Sequence, residues 1–290
     1  MFPQFETTAK NGYAMPTQTA LIRRSIIDTS IGQMMVRTSG TPDPSRPTVV
    51  LIHQMQSSGR MWTKVMSGLA AIHCVAPDIP GLGDSDAPEQ WLDAPGYAEA
   101  IFETVRPLIG EAGCIVVGQH AGAVYAAYLG AAHPDLVRGV LCIGYGMYED
   151  WSQGQRGFYD VGLHKFTADG GGLVETWNTV TKNLPPETDV QTRVECFTDR
   201  LRGGPNFFAP YIGVYTVDRD AILSRLHDSG VTAVMMNPVS DPIVTPTSRR
   251  KQLAIMGIEP LTPDSGSWIT LEAPHIVCDA IVELAGRAAG

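Results

Sequence analysis

His120 stands in a sequence context that would present its side chain for chemistry. The stretch CIVVGQHAGAVYAAYLGAAHPD, residues 114–135, predicts a short buried strand, a sharp turn and a helix of small residues. Gly118 and Gly122 flank the turn, and their missing side chains would let the strand and helix backbones approach closely. An imidazole titrates near neutral pH and serves as a general acid, a general base or a nucleophile. The first N–H groups of the helix would add donors suited to a developing oxyanion.

Alternating strand and helix patterns surround this turn. Continuous apolar runs predict buried strands, and segments with helical apolar spacing lie between them. The predicted strands cover 21–27, 31–40, 48–53, 73–77, 114–118, 137–146, 231–238 and 267–272, and the predicted helices cover 59–71, 96–109, 121–132, 245–257 and 275–289. This alternation predicts an α/β fold with a mostly parallel, doubly wound sheet that is covered by helices on both faces.

One segment, residues 149–217, interrupts the alternation. It contains no clear buried strand, carries GGG at 170–172, and predicts short helices. Residues 148–215 hold 11 of the 22 Phe, Trp and Tyr residues of the chain. We therefore predict a core formed by residues 1–148 and 218–290, with 149–217 inserted as a helical lid over a pocket.

The composition excludes several classes of protein. The chain has 290 residues and is 44% hydrophobic, which is ample for a buried core. A net charge of −9 argues against a broad attraction to nucleic acid or to an anionic membrane. Five widely spaced cysteines, none in a CxxC pair, suggest core thiols in a reducing compartment. The sequence shows neither a signal-peptide pattern nor a long apolar run. We expect a cytoplasmic protein that acts on a small molecule, without nucleic-acid or membrane partners.

Five motifs occur in an order that resembles the α/β-hydrolase superfamily. The resemblance is to the capped branch, which contains epoxide hydrolases, haloalkane dehalogenases, carbon–carbon bond hydrolases and small esterases. The motifs are LIHQMQSSGRMW at 51–62, DIPGLGDSD at 78–86, GQHAG at 118–122, VSDPIVTP at 239–246 and EAPH at 272–275. Together they cover nearly the whole chain and imply the α/β-hydrolase fold with an inserted helical cap.

The resemblance also implies a set of site residues. Asp241 takes the place of the acid and His275 that of the general base, so that the carboxylate would orient the imidazole. The backbone N–H groups of Met55 and Ala121 would form an oxyanion hole. Four further residues are predicted to bind substrate, namely Gln54, Gln119, Tyr145 and Trp151. No metal and no other cofactor is implied.

Two residues depart from the family pattern. His120 replaces the usual Ser, Asp or Cys nucleophile, and Gln54 replaces the glycine that follows His53 in the loop. Because the oxyanion hole uses backbone groups, it is expected to survive both changes. A strained turn without a function would accept Gly, Ala or Asn more readily than a large ring, which favours a retained role for His120.

Several interpretations of His120 remain open at this stage. His120 and His275 form an acid–base pair, or His120 is a nucleophile that forms an acyl-imidazole, or both bind a metal with Asp241. Two further interpretations are that the chain is a ligand-binding or receptor protein on a hydrolase fold, or that it is a conventional hydrolase in which the nucleophile has been substituted. We favour the acid–base pair of His120 and His275. It predicts hydrolytic or lyase-like chemistry on a small apolar or aromatic substrate, such as an ester, a lactone or a carbon–carbon bond, without a serine acyl-enzyme.

Overall fold

A single seven-stranded sheet runs through the described part of the chain, which comprises residues 20–149, 166–182, 184–203 and 209–288 of this computed structural model. The strands lie in the order β1-β2-β4-β3-β5-β6-β7. Their bounds are β1 Arg23–Thr29, β2 Gly32–Ser39, β3 Thr48–Ile52, β4 Cys74–Pro77, β5 Cys114–Gln119, β6 Val137–Ile143 and β7 Thr232–Met236. β1, β2 and β4 pair in antiparallel fashion, and every pairing from β4 to β7 is parallel. The predicted mostly parallel sheet is confirmed.

Helices cover both faces of this sheet. They are α1 Thr63–Gly68, α2 Ala94–Val105, α3 Ala121–Ala132, α4 Leu173–Thr181, α5 Val190–Arg202, α6 Ala209–Thr216, α7 Arg219–Asp228, α8 Pro246–Met256, α9 Ile269–Glu272 and α10 Pro274–Ala288. Short 3-10 turns at Gly59–Trp62 and Arg106–Leu108 precede α1 and follow α2. The predicted helix 59–71 is therefore a 3-10 turn that continues into α1.

The central strand β3 explains why the core has two halves. Val50 and Ile52 pack on one face of the sheet, against α2 and α3, while Val49 and Leu51 pack on the other, against α1 and α10. Because successive side chains of a strand point to opposite faces, both faces of β3 are apolar and fully buried. Each such side chain stabilises the fold by roughly 1.5–3 kcal/mol.

The predicted strand at 267–272 is wrong, because this segment contains α9. Leu261 instead pairs in parallel with Met236, and its N–H donates to the Met235 carbonyl at 2.8 Å. The Glu272 carboxylate accepts hydrogen bonds from the N–H groups of Gly266, at 2.6 Å, and Trp268, at 3.2 Å. These bonds close a helical turn at the point where an extended strand would have continued.

The segment between β6 and β7 is helical where the structure describes it. Within 149–217, helices α4, α5 and α6 are present, as the sequence predicts. Helix α5 contacts the core through Asp199, whose Oδ2 accepts a hydrogen bond from Ser58 Oγ at 2.8 Å. An ion pair between Arg202 and Asp84 adds a second contact. These helices therefore rest on the loops that follow β3 and β4.

Candidate active site

The turn between β5 and α3 holds His120 in a backbone conformation that is rare for a residue with a side chain. Its φ is 51° and its ψ is −108°, at a cost on the order of 1–3 kcal/mol. A Cβ at Gly118 would overlap the carbonyl of Gly122, and a Cβ at Gly122 would overlap the carbonyl of Ile52. The two glycines therefore allow the close approach predicted from the sequence, and the turn directs His120 into a cavity.

Asp241 is the partner of His120. It lies in the loop after β7, is 4% exposed, and its Oδ2 is 2.7 Å from His120 Nε2. Its Oδ1 accepts hydrogen bonds from the Ile243 N–H at 3.0 Å and from Ser267 Oγ at 3.2 Å. Burial opposes ionisation of this carboxyl, but the hydrogen bond and charge of His120, with the other two donors, hold its pKa below the ordinary value. Asp241 is therefore an ionised acceptor at neutral pH.

This pairing fixes the tautomer of His120. An ionised carboxylate can only accept, so Nε2 carries the proton that points at Asp241. In the neutral ring, Nδ1 then carries the lone pair. No residue in the described ranges hydrogen-bonds to Nδ1, and 16% of the side chain is exposed, in the cavity. His120 thus presents a basic nitrogen to whatever occupies the cavity.

His275 does not join this site. It is exposed in the first turn of α10, does not line the cavity, and forms no hydrogen bond with another described residue. The physical reason is helix α9: the chain contacts Asp241 at Ser267, and the helical turn that follows leads it away from Asp241 before it reaches His275. The predicted orientation of His275 by Asp241 is therefore corrected, because this carboxylate orients His120 instead.

Ser267 lies at this site although no sequence motif predicted it. Its hydroxyl donates to Asp241 and its side chain lines the same cavity as His120. The sequence carries a weak signal for it, since it follows Gly266 in a polar loop after the last apolar pairing residue, Leu261. Placing the end of the last strand at Leu261 would have brought Ser267, and not His275, to the carboxyl edge of the sheet.

The predicted oxyanion donors lie beside His120. Met55 and Ala121 both line the cavity. Their N–H groups donate to no other residue that the structure describes. Ala121 is the first residue of α3, where backbone N–H groups are unsatisfied by the helix itself. The two amides are therefore available to a ligand oxygen.

His53 braces the loop that carries Met55. Its Nε2 accepts a hydrogen bond from the Ile79 N–H at 2.8 Å, so this nitrogen holds a lone pair, and Nδ1 donates to the Gln54 carbonyl at 2.7 Å. The ring is therefore neutral. Complete burial lowers the pKa of His53 to about 4, although the charge of Asp78 and the bond to Gln54 oppose this. His53 is a structural residue of the loop.

The predicted substrate-binding residues separate into three groups. Gln54 lines the cavity. Gln119 and Tyr145 are fully buried and do not line it. Gln119 Nε2 donates to Gln54 Oε1 at 3.3 Å and to the Ser267 carbonyl, and Tyr145 donates to the Arg219 carbonyl at 2.9 Å. Trp151 lies outside the described residues. Gln119 therefore joins the loop at 54 to the loop at 267 below the site.

The cavity itself has a volume of about 460 Å³ and is walled by aromatic side chains. These are Tyr148, Tyr211, Tyr215 and Trp268. Arg219 packs over two of them, 4.7 Å from the centre of the Tyr148 ring and 5.4 Å from that of Tyr215. Its guanidinium donates to the Val214 and Gly146 carbonyls, so it acts as a buried support of the wall. A cavity of this kind suits a small, partly aromatic molecule.

Neither a metal nor a reactive thiol is suggested by the described residues. Among them, no group of three or more His, Cys, Asp or Glu side chains is placed to hold a metal ion. Cys196 lines the cavity, but burial, aided by the charges of Asp199 and Glu195, raises the pKa of its thiol to about 12. This thiol is protonated at neutral pH and is a poor nucleophile. No helix in the described ranges is both long and apolar enough to cross a lipid bilayer.

Comparison with known proteins shows which fold this architecture belongs to. Residues 47–170 match the family model for the alpha/beta hydrolase fold. A hydrolase from Pseudomonas aeruginosa superimposes with a TM-score of 0.74 at 17% identity, over 91% of this chain and 98% of the other. The chain has the α/β-hydrolase fold. The predicted fold class is thereby confirmed.

Two curated relatives each match part of this α/β-hydrolase-fold chain. A haloalkane dehalogenase from Bradyrhizobium diazoefficiens is 29% identical over 129 residues, which cover 43% of this chain and 39% of the relative. A 2-(acetamidomethylene)succinate hydrolase from Mesorhizobium japonicum is 32% identical over 105 residues, which cover 36% of this chain and 37% of the relative. The chain spans less than two fifths of the length of these relatives.

Proposed function

We propose that this α/β-hydrolase-fold protein is a hydrolase in which His120 is the general base and no serine acyl-enzyme forms. One observation carries the proposal: His120 lines the cavity and its Nε2 is held by Asp241 Oδ2 at 2.7 Å, which leaves Nδ1 without a partner among the described residues. A carboxylate behind an imidazole fixes its tautomer and stabilises the imidazolium that forms when it takes a proton. Here the base stands at the nucleophile's position in the fold, so water replaces the side-chain nucleophile.

The proposed reaction has two steps. Water attacks an acyl carbon while His120 Nδ1 accepts its proton, and the carbonyl oxygen becomes an oxyanion that the N–H groups of Met55 and Ala121 stabilise. The tetrahedral intermediate then collapses, the bond to the leaving group breaks, and that group takes the proton back from Nδ1. The sum is one bond hydrolysed by one water, with His120 and Asp241 returned to their starting states.

The cavity supports a small, apolar or aromatic substrate. Four aromatic side chains form its wall, and its volume of about 460 Å³ suits a compact molecule. We propose that the helices within 149–217 act as a lid, because Tyr211, Tyr215 and Arg200 of this segment line the cavity beside His120. Esters, lactones and diketones are the substrate classes in which water attack at an acyl carbon gives stable products. Relatives named as a dehalogenase and a hydrolase support a hydrolytic reaction over a lyase reaction.

The test is a panel of small aromatic esters, lactones and diketones with the wild type and two histidine variants. His120→Gln should lower kcat about 100-fold or more, because general-base catalysis is worth about 10²–10⁴. His275→Gln is the matched control, since that ring is exposed and outside the cavity, and it should retain wild-type activity.

Three results would contradict the proposal. The first is full activity of His120→Gln. The second is a burst of the first product, which would indicate an acyl-imidazole at His120. The third is stable fluorophosphonate labelling of a cavity hydroxyl, which would indicate a serine nucleophile. Ligand stabilisation with no turnover of any substrate would point instead to a binding protein.

A further inference from the structure

We infer that the substrate of this site carries an anionic group, such as a carboxylate, and that Arg200 of α5 binds it. This inference rests on the proposed hydrolytic function and deepens it by naming a class of substrate. Arg200 and Arg219 both line the cavity, whereas no Asp or Glu in the described ranges does so. The wall around a substrate is therefore cationic, although the whole chain has a net charge of −9.

Two buried carboxylates lie next to cavity residues, and both are held by other groups. Asp241 accepts the Nε2 proton of His120 at 2.7 Å. Asp199 accepts a hydrogen bond from Ser58 Oγ at 2.8 Å and lies 3.7 Å from the guanidinium of Arg60. Asp199 precedes Arg200 in α5, but adjacent residues of a helix do not face each other. Neither carboxylate lines the cavity, so the cationic wall stays open to a negatively charged ligand.

The two arginines of the wall have different surroundings. Arg219 donates from three nitrogens to main-chain carbonyls, which commits it to supporting the wall. Arg200 lies in α5 four residues after Cys196, and both residues line the cavity, as expected for one face of a helix. The charge of Arg200 acts on the phenol of Tyr211, another residue of the cavity wall. Arg200 is therefore the arginine whose charge can serve a ligand.

Burial makes an anionic partner favourable for Arg200. The residue is 7% exposed, and burial lowers the pKa of its guanidinium, although the neighbouring Tyr211 opposes this. The group nevertheless stays protonated at neutral pH and carries five N–H donors in a planar fork. A carboxylate can accept from two of these donors at once, alongside the contacts that Arg200 makes within the fold. Since charges attract more strongly in a buried cavity than in water, an anionic substrate should bind more tightly than a neutral one of the same shape.

The test uses two aryl esters that differ mainly in charge, 4-acetoxybenzoate and 4-acetoxybenzamide. The wild type should have the higher kcat/KM for 4-acetoxybenzoate, mainly through a lower KM. Arg200→Gln should lower kcat/KM for this ester about 10- to 100-fold, because hydrogen bonds between charged groups are lost. The loss for 4-acetoxybenzamide should be clearly smaller. Arg200→Lys, which keeps the charge without the fork, should restore part of the preference for the carboxylate.

Lys182→Gln is the control for a change in net charge alone. Lys182 is an exposed cation of the same segment and does not line the cavity. This variant should leave both esters unaffected. Thermal melts would show whether Arg200→Gln folds, and if it does not, the wild type and Arg200→Lys still decide the outcome. Equal kcat/KM values for the two esters in the wild type would overturn the inference, as would an equal loss for both esters in Arg200→Gln.

A binding measurement separates this inference from the proposed function. Phenylacetate should bind the wild type more tightly than phenylacetamide in calorimetry, and Arg200→Gln should lose that difference. If phenylacetate binds in this way and no ester is hydrolysed, the anion site stands and the proposed hydrolysis fails. If both esters are hydrolysed equally well and phenylacetate has no advantage, the anion site fails and the proposed hydrolysis stands.

Discussion

Asp241 accepts a hydrogen bond from His120 at 2.7 Å, although 121 residues separate them in the chain. The two residues meet because β5 and β7 both end at the same edge of a parallel sheet, on either side of β6. The contact gives His120 its tautomer and keeps Asp241 ionised.

A substitution at Gly144 would test how much space the His120–Asp241 pair requires. A Cβ at this position would lie 2.5 Å from His120 Cδ2 and 2.8 Å from both His120 Nε2 and Asp241 Oδ2. Gly144→Ala should therefore separate the pair and lower kcat at least about 10-fold. Gly257→Ala is the control, because Gly257 has the same φ of +64° with open space around it. Both variants should lose about 1 kcal/mol of stability from backbone strain. An active Gly144→Ala enzyme would show that the pair is dispensable.

Asp241→Asn tests the charge behind the imidazole. The variant should lose about 10²–10⁴-fold in kcat, because an amide can hold His120 in the wrong tautomer. Its stability effect should depend on pH. A carboxyl with a lowered folded pKa stabilises the fold above its ordinary pKa of 3.8, and this is lost as the pH falls through the folded value. The difference in unfolding free energy between wild type and variant should shrink below about pH 4. Asp264→Asn, at an exposed site, should leave kcat unchanged.

Because His53 is buried and neutral, the folded protein should lose stability in mild acid. It is neutral in the fold, with a pKa of about 4 against an ordinary value of 6.5. Its contribution is complete above pH 6.5 and is lost as the pH falls from 6.5 toward 4, by about 3 kcal/mol. Urea unfolding across this range should show the slope in wild type and in His275→Gln. His53→Gln should be less stable at pH 7, and its unfolding free energy should change less as the pH falls from 6.5 toward 4. An equally steep slope in His53→Gln would assign it to another group.

Two aspartates of α5 should respond in opposite directions when they are neutralised. Burial raises the pKa of Asp199, although Ser58 and Arg60 oppose this, and its Oδ1 has no hydrogen-bond partner in the described ranges. Its charge is therefore unfavourable in the fold. Asp199→Asn should raise the unfolding free energy at pH 7, with the gain fading below about pH 4. Asp189, the exposed N-cap of α5, accepts bonds from Thr192, which lower its pKa. Asp189→Asn should lower the unfolding free energy. Thermal melts at pH 7 and pH 4 would decide both signs.

The parts of the site that the sequence predicted are those with a strict local requirement. The turn at His120 needs glycine at 118 and 122, and both close contacts are present. The loop of Asp241 follows a clear apolar strand, and the fold leaves few places where that loop can go. Continuous apolar runs likewise located β3, β5 and β6, since only buried strands need apolar side chains on both faces.

The part that the sequence could not predict is the path of the chain after β7. A short apolar run such as SWITLE fits a buried strand or a buried helix equally well. Glu272 decides between them, because its carboxylate caps the N–H groups of Gly266 and Trp268, a contact made across the turn itself. Because of that one turn, Ser267 and not His275 lies within hydrogen-bond distance of Asp241. Local pattern alone does not contain this information.

The positive φ of His120 has an evolutionary consequence. Glycine would occupy that backbone conformation without strain, whereas histidine bears the cost. The hydrogen bond that His120 donates to the buried Asp241 carboxylate offsets part of this cost, because glycine would leave that charge with one partner fewer. Selection for turnover should therefore retain His at this codon, and a mutational library scored for turnover should be depleted in Gly at position 120.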